Sequence, residues 1–234
     1  MSSNITSVFA GSHGELLQGD CIHFLKSQGD NTFDLTLSDP PYGTNIMNRN
    51  PERTSKLYPD VTSYDYGKYE WDIVPPPRYF REIRRVSKNQ VIFGFQYFTK
   101  ILPPPQCVIC WDKMNGKSSF GDCELAWTSF ETANKVYRYM WNGIIQEEYI
   151  TWKREKRIHP NQKPVPLLVG ILKDFAPQVA AILDPYAGSC ATAIACEILG
   201  LKWVCIEREE EYCLKAKERF EEFSKQKKLF KTGG

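Results

Sequence analysis

The stretch "VAAILDPYAGSCATAIACEILGLKWVCIERE", residues 179–209, limits the fold of this chain more than any other. An apolar run ends at Asp184. A turn with one glycine follows, and then small residues from Ala191 to Leu199 read as a helix stopped by Gly200. A second apolar run, Lys202 to Ile206, ends at the acid Glu207. Strand, helix and strand in this order form a βαβ unit, the building block of a parallel sheet.

Open parallel sheets bind ligands at the carboxyl ends of their strands, near the point where strand order reverses. Acids stand at several such ends here: Asp20, Asp39, Asp184 and Glu207. Glu207 lies nineteen positions after Gly188, the distance at which an acid in a nucleotide-binding βαβ unit accepts hydrogen bonds from ribose hydroxyls. The turn "DPYAGSCAT" has a single glycine, where a dinucleotide site uses three to bring bare amides against a pyrophosphate. A ligand with ribose and adenine but no phosphate, such as S-adenosylmethionine, demands less. The plain alternative is helix–sheet packing with Gly188 as a tight turn.

A second feature is "TLSDPPYGTN" at 36–45. Phe33 to Leu37 alternates apolar and polar residues, the period of a half-buried strand. Pro40 and Pro41 cannot donate to a sheet ladder, so the strand must stop there, with Asp39 held at its end by stiff backbone and Tyr42 just beyond. Taken alone, the tetrapeptide also reads as a proline turn that ends a strand.

The remaining segments read as "ELLQG" (15–19), a strand leading into a helix start at "CIHFL"; a helix over 76–88; and buried strands at 90–98, 107–111 and 124–130. A helix over 164–175 and an amphipathic helix over 208–223 follow. Residues 43–72, polar and tyrosine-rich, predict a mobile loop; its tyrosines are a clamp over a ligand or simple anchors. Residues 131–158 carry no clean period and end in Lys153, Arg154, Lys156 and Arg157. That cluster and the one at 81–88 are either phosphate contacts or solvated faces.

With 234 residues the chain suits a single domain, and its net charge of +2 excludes a polybasic binder of nucleic acid. Neither a signal peptide nor a membrane-length apolar stretch is present, so a cytoplasmic protein with no membrane partner is expected. The eight cysteines are scattered through apolar segments and read as reduced thiols. Cys107 and Cys110 fall in a strand, where positions three apart face opposite ways; a zinc site with Cys123 is the weaker alternative to no metal at all.

"GDC" (19–21), "LSDPPY" (37–42), "HPNQKP" (159–164), "LDPYAGSCAT" (183–192) and "CIERE" (205–209) follow one another in an order that resembles the β-class DNA amino-methyltransferases. The match spans nearly the whole chain. It implies an α/β, Rossmann-like methyltransferase fold with a mostly parallel sheet, helices on both faces and permuted motif order. The implied cofactor is S-adenosyl-L-methionine and the implied partner double-stranded DNA, with a homodimer in keeping with the class. By the same resemblance, Asp39, Pro40, Pro41 and Tyr42 are catalytic. Asp20, Cys21, His159, Gln162, Lys163, Asp184, Pro185, Tyr186, Ala187, Gly188, Ser189 and Glu207 would hold the donor. "HPNQKP" otherwise reads as a loop before a helix. Cys190 and Ala191 depart from the family turn, which commonly has Gly and Thr there.

The expected reaction explains the tetrapeptide. An exocyclic amino group is a poor nucleophile because its lone pair is delocalised into the base. Asp39 carboxylate and Pro40 carbonyl would bind its two hydrogens and favour a pyramidal nitrogen, while Tyr42 stacks on a flipped base. Asp before the two prolines resembles adenine-N6 members more than cytosine-N4 members. Methylation at cytosine C5 needs a nucleophilic cysteine after proline, and no Pro-Cys dipeptide occurs. A silent DNA-binding subunit would keep the fold without needing Asp39, and the tetrapeptide is compatible with a methyltransferase for RNA or protein. Residues 43–72 and 131–158 are too short for an independent domain, so they are expected to read a short target.

Overall fold

The computed structural model describes residues 5–44, 71–114, 121–142, 145–146 and 157–231. The first half contains β1 (Thr6–Ala10), β2 (Gly14–Gln18), α1 (Cys21–Ser27), β3 (Phe33–Ser38), α2 (Pro77–Val86) and β4 (Ser87–Phe93). Next come β5 (Val108–Asp112), β6 (Cys123–Thr128), β7 (Lys135–Arg138) and a small hairpin, β8 (Trp141–Asn142) with β9 (Ile145–Gln146). The chain closes with α3 (Val165–Phe175), β10 (Ala181–Asp184), α4 (Ala191–Leu199), β11 (Lys202–Glu207) and α5 (Glu210–Lys231).

One sheet runs in the order β1-β2-β11-β10-β3-β4-β6-β5-β7. Its centre, β2-β11-β10-β3-β4, is parallel throughout. β10, α4 and β11 form the expected βαβ unit, in register from Ala181↔Lys202 to Asp184↔Cys205. The path from β3 through α2 leads to β4 on one side, whereas β10 through α4 leads to β11 on the other. Strand order therefore reverses between β3 and β10, which are direct neighbours. A crevice at such a point is where ligands bind in open α/β sheets. Its two walls end in Asp39 and Asp184.

The central strands read as continuous apolar runs because both faces are covered. On one face Leu16, Leu35, Val91 and Ile182 pack with residues of α3, α4 and α5. On the other, Leu17, Ile92, Leu183 and Ile206 pack with α1 and α2. Tyr79, Phe80, Ile83 and Val86 are the buried stripe of α2, as its periodicity requires. Truncating Ile83, which is fully buried, would cost about 2–5 kcal/mol. In α4 the small Ala193 and Ala195 are fully buried.

Several boundaries differ from the sequence reading. Helix α2 ends at Val86 rather than residue 88, because Ser87 already pairs with Phe33 as the first residue of β4. Strand β4 ends at Phe93 rather than 98. Gly94 turns left-handed at φ 75°, and a 3₁₀ turn, Phe95–Tyr97, follows. A Cβ at Gly94 would stand 2.2 Å from the Tyr42 ring, so only glycine lets that ring lie where it does. Strand β1 has no counterpart in the sequence reading. Within 131–158, β7 extends the sheet beside β5, and β8 pairs with β9. Most of the loop expected at 43–72, and the basic residues 153–156, lie outside the described residues. C-terminal helix α5 runs on to Lys231, past the expected end at 223. No helix among the described residues is long and apolar enough to cross a membrane.

Candidate active site

Asp39 sits one residue beyond β3, where the two prolines end the ladder. Pro40 and Pro41 are buried and fix the short span to Tyr42. Beneath them, the Ser38 hydroxyl is 2.6 Å from the Tyr79 hydroxyl of α2. The Asp39 carboxylate accepts hydrogen bonds from the Tyr42 hydroxyl and from the Lys163 ammonium. Lys163 also lies 3.1 Å from Glu124 on β6, and Glu124 pairs with Lys113 at 2.5 Å. The result is an alternating row: Tyr42, Asp39, Lys163, Glu124, Lys113.

Burial raises the Asp39 carboxyl above its ordinary value, with the Lys163 ammonium pulling the other way. Burial works against the charge on Lys163, but the two flanking carboxylates hold its ammonium above the usual range. Burial likewise opposes the Glu124 charge, and Lys163 and Lys113 together keep that carboxyl below its ordinary value. Each of these four side chains has a neighbour of opposite formal charge.

Tyr42 is held from three sides. Its hydroxyl donates to Asp39, its ring stacks on Tyr97 at 4.8 Å and 17°, and Phe98 meets it edge-on at 6.1 Å. Burial and the adjacent Asp39 carboxylate push its phenol far up, so it remains a donor. Tyr97 is 43% exposed. Tyr42 is therefore one of a stacked pair of rings.

The turn after β10 is tied at both ends. Asp184 accepts from the Tyr186 amide at 3.1 Å and from the Thr192 hydroxyl at 2.6 Å, fastening the turn to α4. Burial pushes the Asp184 carboxyl up to about 7. The Glu207 carboxylate accepts from the Gly188 amide at 2.9 Å and from the Glu209 amide at 2.8 Å. The Arg208 amide also acts on it, and since a carboxylate offers about four acceptor positions, acceptor capacity remains for a ribose hydroxyl. Gly188 has φ 47°, and Cys190, the N-cap of α4, is left-handed as well at φ 56°. The Ser189 carbonyl accepts from Arg219 of α5 at 2.8 Å.

"HPNQKP" folds as a tight turn that faces this cradle. The Gln162 amide donates to the His159 carbonyl, and the Gln162 side chain accepts from the Ile158 amide at 3.0 Å. His159 accepts from the Asn161 amide through Nδ1. Burial, with Lys163, Arg157 and Lys215 around it, drives its imidazole down to about 3, so it is neutral. Its ring lies 4.4 Å from Tyr212 and 5.4 Å from Trp71.

One cleft at the switch point is lined by Asp39, His159, Gln162, Lys163, Asp184, Tyr186, Ala187, Gly188 and Ser189. Asp20, Cys21, Pro185 and Glu207 lie outside this lining, and Tyr186 and Glu207 both act on Cys21. Asp20 is exposed and caps α1, its Oδ1 accepting from His23 at 2.9 Å; an acid before a helix start reads as an N-cap as readily as a ligand. Cys21 is buried near Tyr186, and its thiol is pushed up to about 12 by that burial. Lys113, Glu124, Tyr97, Trp71 and Tyr212 were not foreseen as site residues. A charged residue within the apolar run "ELAWTSF" was the one signal for Glu124. Among the described residues no three metal-ligating side chains gather, and Cys110 has Cys123 as its neighbour.

The donor set fits an adenosyl group: a carboxylate with spare acceptor capacity, a left-handed glycine at close approach and neutral aromatic rings nearby. Residues 111–218 match the N6_N4_Mtase family model, described as DNA methylase. Type II methyltransferase M2.MboI of Moraxella bovis is 26% identical, covering 89% of this chain and 88% of that protein. M.HinfI of Haemophilus influenzae is 25% identical over 88% of this chain and 68% of its own. Among solved structures, the M1.HpyAVI–SAM complex overlays with a TM-score of 0.52 at 22% identity, covering 88% of this chain and 99% of that one. PvuII DNA methyltransferase, cytosine-N4-specific, overlays over 100% of this chain and 98% of its own, with a TM-score of 0.59 at 14% identity. In its motif order, the matched segment and the shared fold, the chain is similar to the DNA amino-methyltransferases.

Proposed function

We propose that this chain transfers a methyl group from S-adenosylmethionine to the exocyclic N6 of adenine in duplex DNA. The observation that carries this reading is the Asp39 carboxylate at the switch-point crevice, beside the cradle formed by Gly188 and Glu207. The bound donor supplies an electrophilic methyl group on a sulfonium sulfur.

Glu207 accepts from the ribose with the acceptor capacity that its backbone partners leave free. His159, Tyr212 and Trp71 give an apolar, neutral wall. Tyr42 and Tyr97 take a base rotated out of the duplex, and Asp39 and the Pro40 carbonyl accept its two amino hydrogens. Acceptors fixed by two prolines need little reorganisation as positive charge develops on the nitrogen. The new N–C bond forms from the amino lone pair as the S–CH3 bond breaks and its electron pair returns to sulfur, leaving a neutral thioether; the nitrogen then sheds one proton, for which Asp39 would be the base. No covalent intermediate with the protein is needed.

The fold is common to adenine-N6 and cytosine-N4 chemistry, as the likeness to the PvuII enzyme illustrates. The choice of adenine rests on the acid at position 39. We further propose that 1–234 acts as one methyltransferase unit, that residues 43–72 and 131–158 read a short target, and that two copies associate on DNA. Label transfer from tritiated donor tests the substrate class. Counts in duplex DNA and not in RNA or protein support the reading; counts confined to RNA or protein overturn it.

A further inference from the structure

Of the five groups in the row at Asp39, Glu124 and Lys113 take no part in the reaction just described. Glu124 is carried by β6, opposite Trp111 of β5, and Lys113 follows β5 with its ammonium 5.1 Å from the Trp111 ring. Both belong to the antiparallel part of the sheet, away from the motif-bearing strands. Yet Glu124 shares Lys163 with Asp39, and Lys113 shares Glu124 with Lys163. All four charged side chains are three-quarters or more buried, so they interact with little screening.

We propose that Glu124 and Lys113 are positioning residues that set how strongly Asp39 accepts a hydrogen bond, acting through Lys163. The inference rests on the methyl-transfer reading. A carboxylate given wholly to a lysine is a weak acceptor for a substrate amino group. Lys163 sits closest to Asp39, and Glu124 competes for the same ammonium from 3.1 Å, while Lys113 competes for Glu124. Two basic and two acidic side chains balance in formal charge along the row, which favours the ionised form of Asp39 within a buried site. The other ionisable groups facing Asp39 are Tyr42 on its own segment, Asp184 across the crevice and Tyr97 beyond Tyr42; His159 faces Lys163. None of them pairs with Glu124 in the row.

The sign of each charge gives the test. Transfer requires ionised Asp39, so the acid limb of the kcat–pH profile follows its carboxyl. Glu124→Gln removes a negative charge and should move that limb to lower pH by roughly one unit. It should also lower the plateau kcat on the order of ten-fold or more, as Asp39 is left the sole carboxylate partner of the Lys163 ammonium, with donor Kd within two-fold. Lys113→Met removes a positive charge and should move the limb to higher pH. The double variant should return the limb toward its original position. Movement in one direction for both variants, or none, would overturn the proposal, as would a loss of donor affinity matching the loss of rate. If Glu124→Gln does not fold, the sign of the Lys113→Met shift decides alone. Absence of any label transfer to nucleic acid by the parent would instead overturn the methyl-transfer reading itself; a parent that transfers label, with limbs unmoved in Glu124→Gln and Lys113→Met, overturns only this inference.

Discussion

Lys163 reaches across 124 residues of sequence to ion-pair with Asp39, joining the segment before α3 to the end of β3. In the proposed reaction this contact would join the target site to the donor site, because Lys163 belongs to the turn that faces the Gly188 cradle. It also means that Asp39 can be removed without stranding a buried cation, since Glu124 still faces Lys163 at 3.1 Å.

Asp39→Ala should therefore abolish methyl transfer while leaving the fold and the donor site in place. Losing one preorganised electrostatic group typically costs about a hundred-fold or more in rate. Calorimetric titration should find donor affinity within a few-fold of the parent. An equal loss of affinity would assign Asp39 to the donor rather than to the target.

Glu207→Ala should do the reverse. The Gly188 amide loses its acceptor, and a ribose loses hydrogen bonds to a charged partner worth about 1.5–3 kcal/mol. The donor dissociation constant should rise at least ten-fold. An unchanged constant would remove Glu207 from the site.

Cys190→Gly should be well tolerated. Cys190 is left-handed at φ 56°, a conformation that costs a side-chain-bearing residue about 1–2 kcal/mol and glycine little. Loss of a fully buried thiol and greater freedom in the unfolded chain offset that gain, at about 1 kcal/mol together. Chemical denaturation should place the variant within about 1 kcal/mol of the parent. Donor binding should be equal or tighter, and its collapse would give the thiol a role of its own.

His159 makes stability depend on pH with a defined sign. Its folded value, about 3, lies below the ordinary 6.5, so its contribution is present above pH 6.5 and is lost as pH falls toward 3. Between pH 7 and 5 the parent should lose about 1–2 kcal/mol that His159→Phe does not lose. Urea midpoints at the two pH values measure the difference. Equal slopes for the two proteins would mean that the imidazole charges freely in the fold.

The βαβ unit was legible because its periods are local: β10, α4 and β11 lie within residues 181–207, and Gly200 stops the helix where expected. Strand β1 was not, since its residues are only partly buried and pair with β2 across a short turn rather than forming an apolar run. The end of β4 was misplaced because Phe95, Tyr97 and Phe98 continue an apolar run while Gly94 turns the backbone away. Motif residues were recognisable by type and order. Their partners were not, because Lys163–Asp39, Glu124–Lys163 and Tyr42–Tyr97 are made by the sheet order β3-β4-β6-β5, which no local pattern encodes.

The central claim is that an acid at position 39, at the crevice between β3 and β10, directs the methyl group to an adenine amino nitrogen. The most direct measurement is methylation of duplex DNA by the purified protein with labelled donor, followed by digestion and chromatography of the nucleosides. The account predicts label in N6-methyladenine, and none when Asp39→Ala replaces the parent. Label in N4-methylcytosine, or label in DNA that persists without Asp39, would contradict it.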